Sequence, residues 1–284
     1  MARRPVSNAR SGASPRDGAS ALRYERSGRG APIVLLHPIA MRLEFWEPVA
    51  KRLSRAHDVV SVDLRGFGLN ARDTEPFSID DLARDVVRLA DDLHLGPALF
   101  VGCSLGGMVA QGVALIAPEE AAGIVAADTT HRTTPEGAEM MRQRARRARE
   151  DMAAAVASDI ERWFSPGFRA GRPEAVEQVR RWALANDPET VANGWLAIAG
   201  LDYTDALARL DCPALVMTGS LDPASPPAAA RKTQEAIPGA QFQKIADAGH
   251  FAPVEQPQAF AEAVVAFARQ PAVVARLRDG APPR

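Results

Sequence analysis

Residues 100–111 read FVGCSLGGMVAQ, an apolar run that breaks at Ser104, between Gly102 and the pair Gly106–Gly107, before a helix-like pattern begins. A sharp strand-to-helix turn accounts for the glycines, because the backbone approaches itself closely there and a Cβ beside the central residue would collide. Such a turn lifts the Ser104 hydroxyl out of the sheet. An ordinary loop between a buried strand and a helix also favours Gly and Ser, so the pattern needs partners elsewhere in the chain before it carries chemistry.

Outward from this turn, apolar runs of strand length recur at Pro32–His37, Asp58–Asp63, Ala98–Gly102, Gly123–Asp128, Ala214–Gly219 and Phe242–Ile245. They are β-branched and mostly unalternated, as buried parallel strands are. Between them lie amphipathic stretches such as Ile79–Leu93, with Ile79, Leu82, Val86, Leu89, Ala90 and Leu93 at three- and four-residue steps behind Ser78 as N-cap. The alternation predicts an α/β fold with a doubly wound, mostly parallel sheet, whose functional residues gather at the carboxyl ends of the strands. From His131 to Thr204 no strand pattern appears, while Arg142–Ile160 and Pro173–Ala185 read as helices. The chain therefore divides into an N-terminal tail (1–20), a core (21–130 and 206–270), a helical cap (131–205) and a C-terminal tail (271–284).

Composition excludes several classes. With 284 residues and 46% apolar content, the chain suits one large core carrying an insertion. A formal net charge of −1 gives no global field for nucleic acid or a membrane surface, although Arg far outnumbers Lys. Cys103 and Cys212 form neither a disulfide framework nor metal-ligand spacing, so the expectation is a reduced, cytoplasmic protein without metal or cofactor. The N-terminus starts basic but lacks the apolar core of a signal peptide, and no run approaches the roughly 18 apolar residues of a membrane span. Nothing in the pattern sets an oligomeric state.

A serine hydroxyl is a weak nucleophile near neutral pH and needs a base, which in turn needs an orienting acid. Of five histidines, His250 follows the last strand run in DAGHFAP, at the strand-end face where Ser104 belongs. His37 ends a strand run and reads as a loop brace. Asp222 directly follows ALVMTG and is the first choice of acid; Asp128 also ends a strand run, and Asp63 sits in DLRGFG, where its partner is the turn backbone. Ser104, Asp222 and His250 then stand in nucleophile–acid–base order, each after a strand, as on the nucleophile-elbow fold.

HPIAMRLEFW, VDLRGFG, GCSLGGMVAQ, RWFSPGFR, MTGSLDPASPP and AGHFAPVEQPQAF together resemble the α/β-hydrolase superfamily, most closely the 3-oxoadipate enol-lactonases, over about Ala21 to Arg269. The resemblance implies an oxyanion hole from the N–H groups of Leu105 and Ile39, and an arginine at the cap entrance, Arg132, that grips a substrate carboxylate. Of the six cap aromatics, Trp163 is taken as pocket lining. The chain departs from the pattern at Pro38 (usually Gly), at Phe67 and Asn70 in RGFGLN, at Cys103, read as a space-filler, and at Ala138 (often Trp). The function implied is a cofactor-free serine hydrolase of a small ester or lactone. A general carboxylesterase, a carbon–carbon bond hydrolase, a haloperoxidase-like perhydrolase and a non-catalytic ligand receptor are the alternatives on the same fold.

Overall fold

The computed structural model describes residues 10–11, 22–70 and 74–279. Its centre is a sheet of eight strands in the order β1-β2-β4-β3-β5-β6-β7-β8. These are β1 (Arg10–Ser11), β2 (Tyr24–Gly28), β3 (Ala31–Leu36), β4 (His57–Val62), β5 (Ala98–Cys103), β6 (Ala121–Ala127), β7 (Ala214–Gly219) and β8 (Gln241–Ile245). β3 to β8 pair in parallel, whereas β1 and β2 add an antiparallel edge. β5 and β6 are buried at every residue, which is why their sequences read as unbroken apolar runs.

Helices α1 (Glu47–Leu53), α2 (Ile79–Asp92) and α3 (Leu105–Ile116) precede β6. α2 starts where the sequence places it. The Ser78 hydroxyl accepts from the Asp81 N–H at 3.1 Å, while the Asp81 carboxylate accepts from the Ser78 N–H at 2.9 Å, a reciprocal cap that satisfies two otherwise unpaired donors. The stripe Ile79, Leu82, Val86, Leu89 and Ala90 is buried.

Between β6 and β7 the described chain is helical: α4 (Pro135–Glu150), α5 (Met152–Trp163), α6 (Pro166–Gly171), α7 (Pro173–Leu184), α8 (Pro188–Ala199) and α9 (Thr204–Leu207). The two ends of this insertion run antiparallel. The Thr133 N–H donates to Leu201 and the Tyr203 N–H to His131, both at 2.9 Å, around a bridge between Arg132 and Asp202. Helices α10 (Pro227–Ala236), α11 (Ala252–Glu255), α12 (Pro257–Ala268) and α13 (Pro271–Asp279) complete the core.

Four sequence expectations need correction. Arg142–Ile160 is two helices, because Asp151 leaves helical geometry (φ −154°, ψ 89°) and its side chain caps α5 through the Ala154 N–H. Strand β2, half-exposed and polar, carries no apolar run that would mark it as a strand in sequence. Residues from Pro271 form α13 instead of a tail: Val273 is fully buried, and Arg276 donates to the Pro118, Ala121 and Asp211 carbonyls. Of the N-terminal tail only Arg10 and Ser11 are described, and they pair with β2; the remainder of it, and the residues from Gly280 on, lie outside the described residues.

Phe100 in β5 is fully buried. Phe100→Ala should therefore lower unfolding free energy by about 3–5 kcal/mol in a urea titration, against less than about 0.5 kcal/mol for Leu69→Ala on the exposed surface.

Candidate active site

The turn between β5 and α3 places Ser104 at φ 54°, ψ −116°, a conformation that side chains rarely adopt. The flanking glycines make it possible. A Cβ on Gly102 would strike the Gly106 carbonyl, and one on Gly106 would strike the Leu36 carbonyl at the end of β3. The strained residue is held from several sides: its N–H donates to Ala127 at 2.9 Å, and its carbonyl accepts from the Gly107 and Met108 N–H groups and from the Thr129 hydroxyl at 2.7 Å.

The structure brings Ser104, His250 and Asp222 together. His250 Nε2 lies 3.0 Å from Ser104 Oγ, and Nδ1 lies 2.9 Å from Asp222 Oδ2. Asp222 follows β7 and His250 follows β8, so three strand ends supply the group. Burial pushes the Asp222 carboxyl up, but the His250 charge and hydrogen bonds from His250, Ser225 and Ala224 hold it below its ordinary value. As a carboxylate it only accepts, so the Nδ1 proton belongs to that bond. Nε2 is then left to accept from the Ser104 hydroxyl.

The loop after β3 carries the second element. His37 is buried, and burial lowers its pKa; its Nδ1–H donates to the Pro38 carbonyl at 2.7 Å while Nε2 accepts the Leu64 N–H at 2.9 Å. Asp63 accepts from the Leu43 and Leu69 N–H groups and from Arg23. His37 and Asp63 are thus the loop and turn braces the sequence suggested. Asn186 of the cap donates to the Ala40 carbonyl at 2.8 Å, fixing the loop from above. Ile39 and Leu105 are buried, yet among the described residues neither N–H has a protein acceptor. Leu105 directly follows the serine, and the loop carrying Ile39 begins at the Leu36 and His37 carbonyls on which Gly106 packs; buried amides without an acceptor are suited to an oxygen that develops negative charge.

Cys103, immediately before the serine, is fully buried, and burial followed by the Asp128 charge pushes its thiol well up. It contacts Asp128 Oδ2 at 3.8 Å and the His250 carbonyl at 3.7 Å, as a filler does. Asp128 does not take the acid position: its Oδ1 accepts the Gly219 N–H at 2.7 Å, and burial, then the Asp222 charge, raises its carboxyl well above the ordinary range. Trp163 is buried and stacks on Phe251 with centroids 5.0 Å apart, and Phe251 lies 5.8 Å from the His250 ring. It backs the histidine through that neighbour.

Arg132 is not drawn into this group. Its side chain is exposed at the neck of the cap, where its backbone bridges Asp202. The antiparallel pairing of the two cap ends, invisible in sequence, turns the residue outward.

Sequence reading missed Glu255. Its Oε1 accepts the Gly249 and Ser165 N–H groups at 3.0 and 2.9 Å, and its Oε2 accepts the Ser165 hydroxyl at 2.6 Å. One carboxylate thereby staples the histidine loop to the cap, although nothing local distinguishes it from a surface glutamate in VEQPQ.

Residues 33–263 match the alpha/beta hydrolase family, and the chain belongs to it. Among its relatives, 3-oxoadipate enol-lactonase 2 of Acinetobacter baylyi is 30% identical over 253 residues, 88% of this chain and 94% of that protein. A thermophilic esterase from Thermogutta terrifontis superposes with a TM-score of 0.81 at 33% identity, covering 87% of this chain and 93% of its own. The enol-lactonase from Burkholderia xenovorans LB400 gives 0.83 at 29% identity, covering 88% and 96%.

Glu255→Ala leaves two buried amides without an acceptor. The expected loss is about 1–3 kcal/mol in chemical denaturation, with hydrolytic rate falling alongside because the His250 loop is released.

Proposed function

We propose that the protein is a serine hydrolase that opens a carboxylic ester or lactone through Ser104, His250 and Asp222, with the Ile39 and Leu105 amides as oxyanion hole. The observation that carries this reading is the continuous hydrogen-bonded line from Ser104 Oγ through the His250 ring to a buried, low-pKa Asp222. Relatives that include an enol-lactonase and an esterase support the bond type.

In this mechanism Ser104 Oγ attacks the carbonyl carbon while His250 Nε2 takes its proton, and the two amides hold the resulting oxyanion. The tetrahedral intermediate collapses, and His250 gives that proton to the leaving oxygen. In a lactone this oxygen stays tethered through the acyl chain. Water, deprotonated by the same imidazole, then attacks the acyl-serine, and the imidazolium returns the proton to Ser104 Oγ as the acid leaves. Asp222 steadies the imidazolium at each stage without taking the proton. The buried, high-pKa Cys103 thiol has no part in it.

Ser104→Ala should abolish both hydrolysis of aryl esters and labelling by an active-site phosphonate while preserving the melting temperature, and Cys103→Ala should retain both. The opposite pattern would make the elbow a thiol site. Asp222→Asn should keep the fold and lower kcat by about 10⁴-fold, since the amide favours the wrong imidazole tautomer. A loss under tenfold in steady-state kinetics would move the acid role to another carboxylate. A panel of an enol-lactone, a simple aryl ester and a β-diketone ranks the bond types; labelling without turnover on any of them would favour a ligand receptor.

A further inference from the structure

The turn that carries Ile39 contains no glycine, although its geometry asks for one. It runs Pro38–Ile39–Ala40–Met41 and is closed by the Met41 N–H donating to the Pro38 carbonyl at 3.2 Å. Ala40 stands at φ 59°, in the left-handed region that the third residue of a type II turn occupies and that glycine or asparagine supplies at least cost. Among the described residues five that are not glycine have positive φ: His94, Asp128 and Asp247 are of types that tolerate it, and Ser104 is the nucleophile. Ala40 is the one apolar residue of the set, so contacts from outside the turn must hold it there.

Ties at either end do so. At the start, His37 Nδ1–H and the Met41 N–H both donate to the Pro38 carbonyl, at 2.7 and 3.2 Å. That carbonyl and the Ile39 N–H belong to one planar trans peptide and point opposite ways, so the bonds accepted by the carbonyl set the direction of the Ile39 donor. At the other end the tie comes from the cap. Asn186, buried just past the end of α7, places Nδ2 2.8 Å from the Ala40 carbonyl, 2.8 Å from the Trp182 carbonyl and 3.2 Å from the Ala183 carbonyl. Three carbonyls around one atom require the amide nitrogen there, since an oxygen would be repelled by all of them. Helix α8 adds packing: a Cβ on Gly194 would stand 2.9 Å from Ile39 Cδ1 and 3.2 Å from Phe67 Cζ. The cap therefore grips both central residues of the turn, Ile39 by contact and Ala40 by a hydrogen bond.

We propose that Asn186 is a positioning residue for transition-state stabilisation: by holding Ala40 left-handed, the cap keeps the Ile39 N–H directed at the oxyanion. The inference rests on the serine hydrolase reading and gives the cap a part in the chemical step. Without the tie Ala40 relaxes to negative φ, and rotation about its N–Cα bond turns the Ile39–Ala40 peptide and carries Ile39 with it. Ground-state binding makes little use of that donor, whereas the oxyanions formed on acylation and on deacylation both need it. The cost therefore falls on kcat whichever step limits turnover. A glycine at position 40 has no such preference for negative φ, which makes the Asn186 tie dispensable.

The experiment measures kcat and KM on 4-nitrophenyl butyrate, and inhibition by trifluoromethyl pentyl ketone and by methyl pentyl ketone, well below each variant's melting temperature. Ser104 Oγ adds to the trifluoromethyl ketone carbonyl, its proton passing to His250 and the negative charge to the former carbonyl oxygen; the methyl ketone binds without reacting. Asn186→Ala should lower kcat by about 10- to 100-fold with KM within about threefold, since a misdirected donor costs less than the roughly 10²- to 10³-fold of a deleted one. Asn186→Asp, which keeps the shape but sets an acceptor against three carbonyls, should be at least as slow. In Asn186→Ala the trifluoromethyl ketone should weaken by a factor similar to the loss in kcat, and the methyl ketone by less than about twofold. In an Ala40→Gly background the same Asn186→Ala step should cost less than about threefold in kcat. A kcat within about threefold of wild type in Asn186→Ala, equal weakening of both ketones, or an undiminished loss in the Ala40→Gly background would overturn the proposal and leave Asn186 a C-terminal cap of α7. If wild type does not hydrolyse the ester, or Ser104→Ala matches it, the serine hydrolase reading is what has failed. Amide hydrogen exchange over residues 37–43 then still decides whether Asn186 holds the turn: it should quicken relative to β5 in Asn186→Ala, and an unchanged rate would rule the tie out.

Discussion

The site depends on the close approach of Gly106 to the Leu36 carbonyl. That contact presses the start of α3 against the end of β3, so the elbow bearing Ser104 and the loop bearing Ile39 cannot separate. The strained Ser104 backbone costs on the order of 1–3 kcal/mol and persists because its amide and carbonyl are held by Ala127, Gly107, Met108 and Thr129. Neighbouring parallel strands then supply the partners. β6 anchors the turn through Ala127 and Thr129, while β7 and β8 carry the acid and the base into reach.

Two carboxyls end adjacent strands and are driven in opposite directions. Asp222 receives hydrogen bonds from two loop amides and the imidazole, which outweigh the cost of burial and keep it ionised. Asp128, more deeply enclosed, has the Gly219 and Ala252 amides and a weakly donating thiol, but burial and the Asp222 charge outweigh them and its carboxyl rises. Buried like charges ionise together only at high cost, so one negative charge is concentrated where it meets His250. Asp128 instead ties the end of β6 to the end of β7, the strand whose loop carries Asp222.

The cap is attached to this centre by polar ties. Glu255 joins its Ser165 to the histidine loop, Asn186 holds the Ala40 carbonyl, and the Tyr203 hydroxyl donates to Asp80 of α2 at 2.6 Å. Phe251 completes the attachment from the apolar side, with Phe45 of the core at 5.1 Å and Trp163 of the cap at 5.0 Å.

The sequence by itself determined the six parallel strands of the sheet, the elbow and the order of the three catalytic candidates, because each rests on a local cause. Unbroken apolar runs mark strands buried on both faces, glycines mark a turn too tight for Cβ atoms, and polar residues directly after strands mark the carboxyl edge. Asp222 and Asp128 both end strands, and it is the parallel pairing of β7 with β8 that sets the loop carrying Asp222 beside the one carrying His250. Local pattern could not place Arg132. An arginine at the entrance to a cap looks the same in sequence whether it faces solvent or a reaction centre, and the difference arises from the antiparallel neck at Arg132–Asp202. Glu255 was hidden for the same reason: its donors lie 90 residues away in Ser165 and one loop back in Gly249, and hydrogen bonds across that separation exist only once the chain has folded.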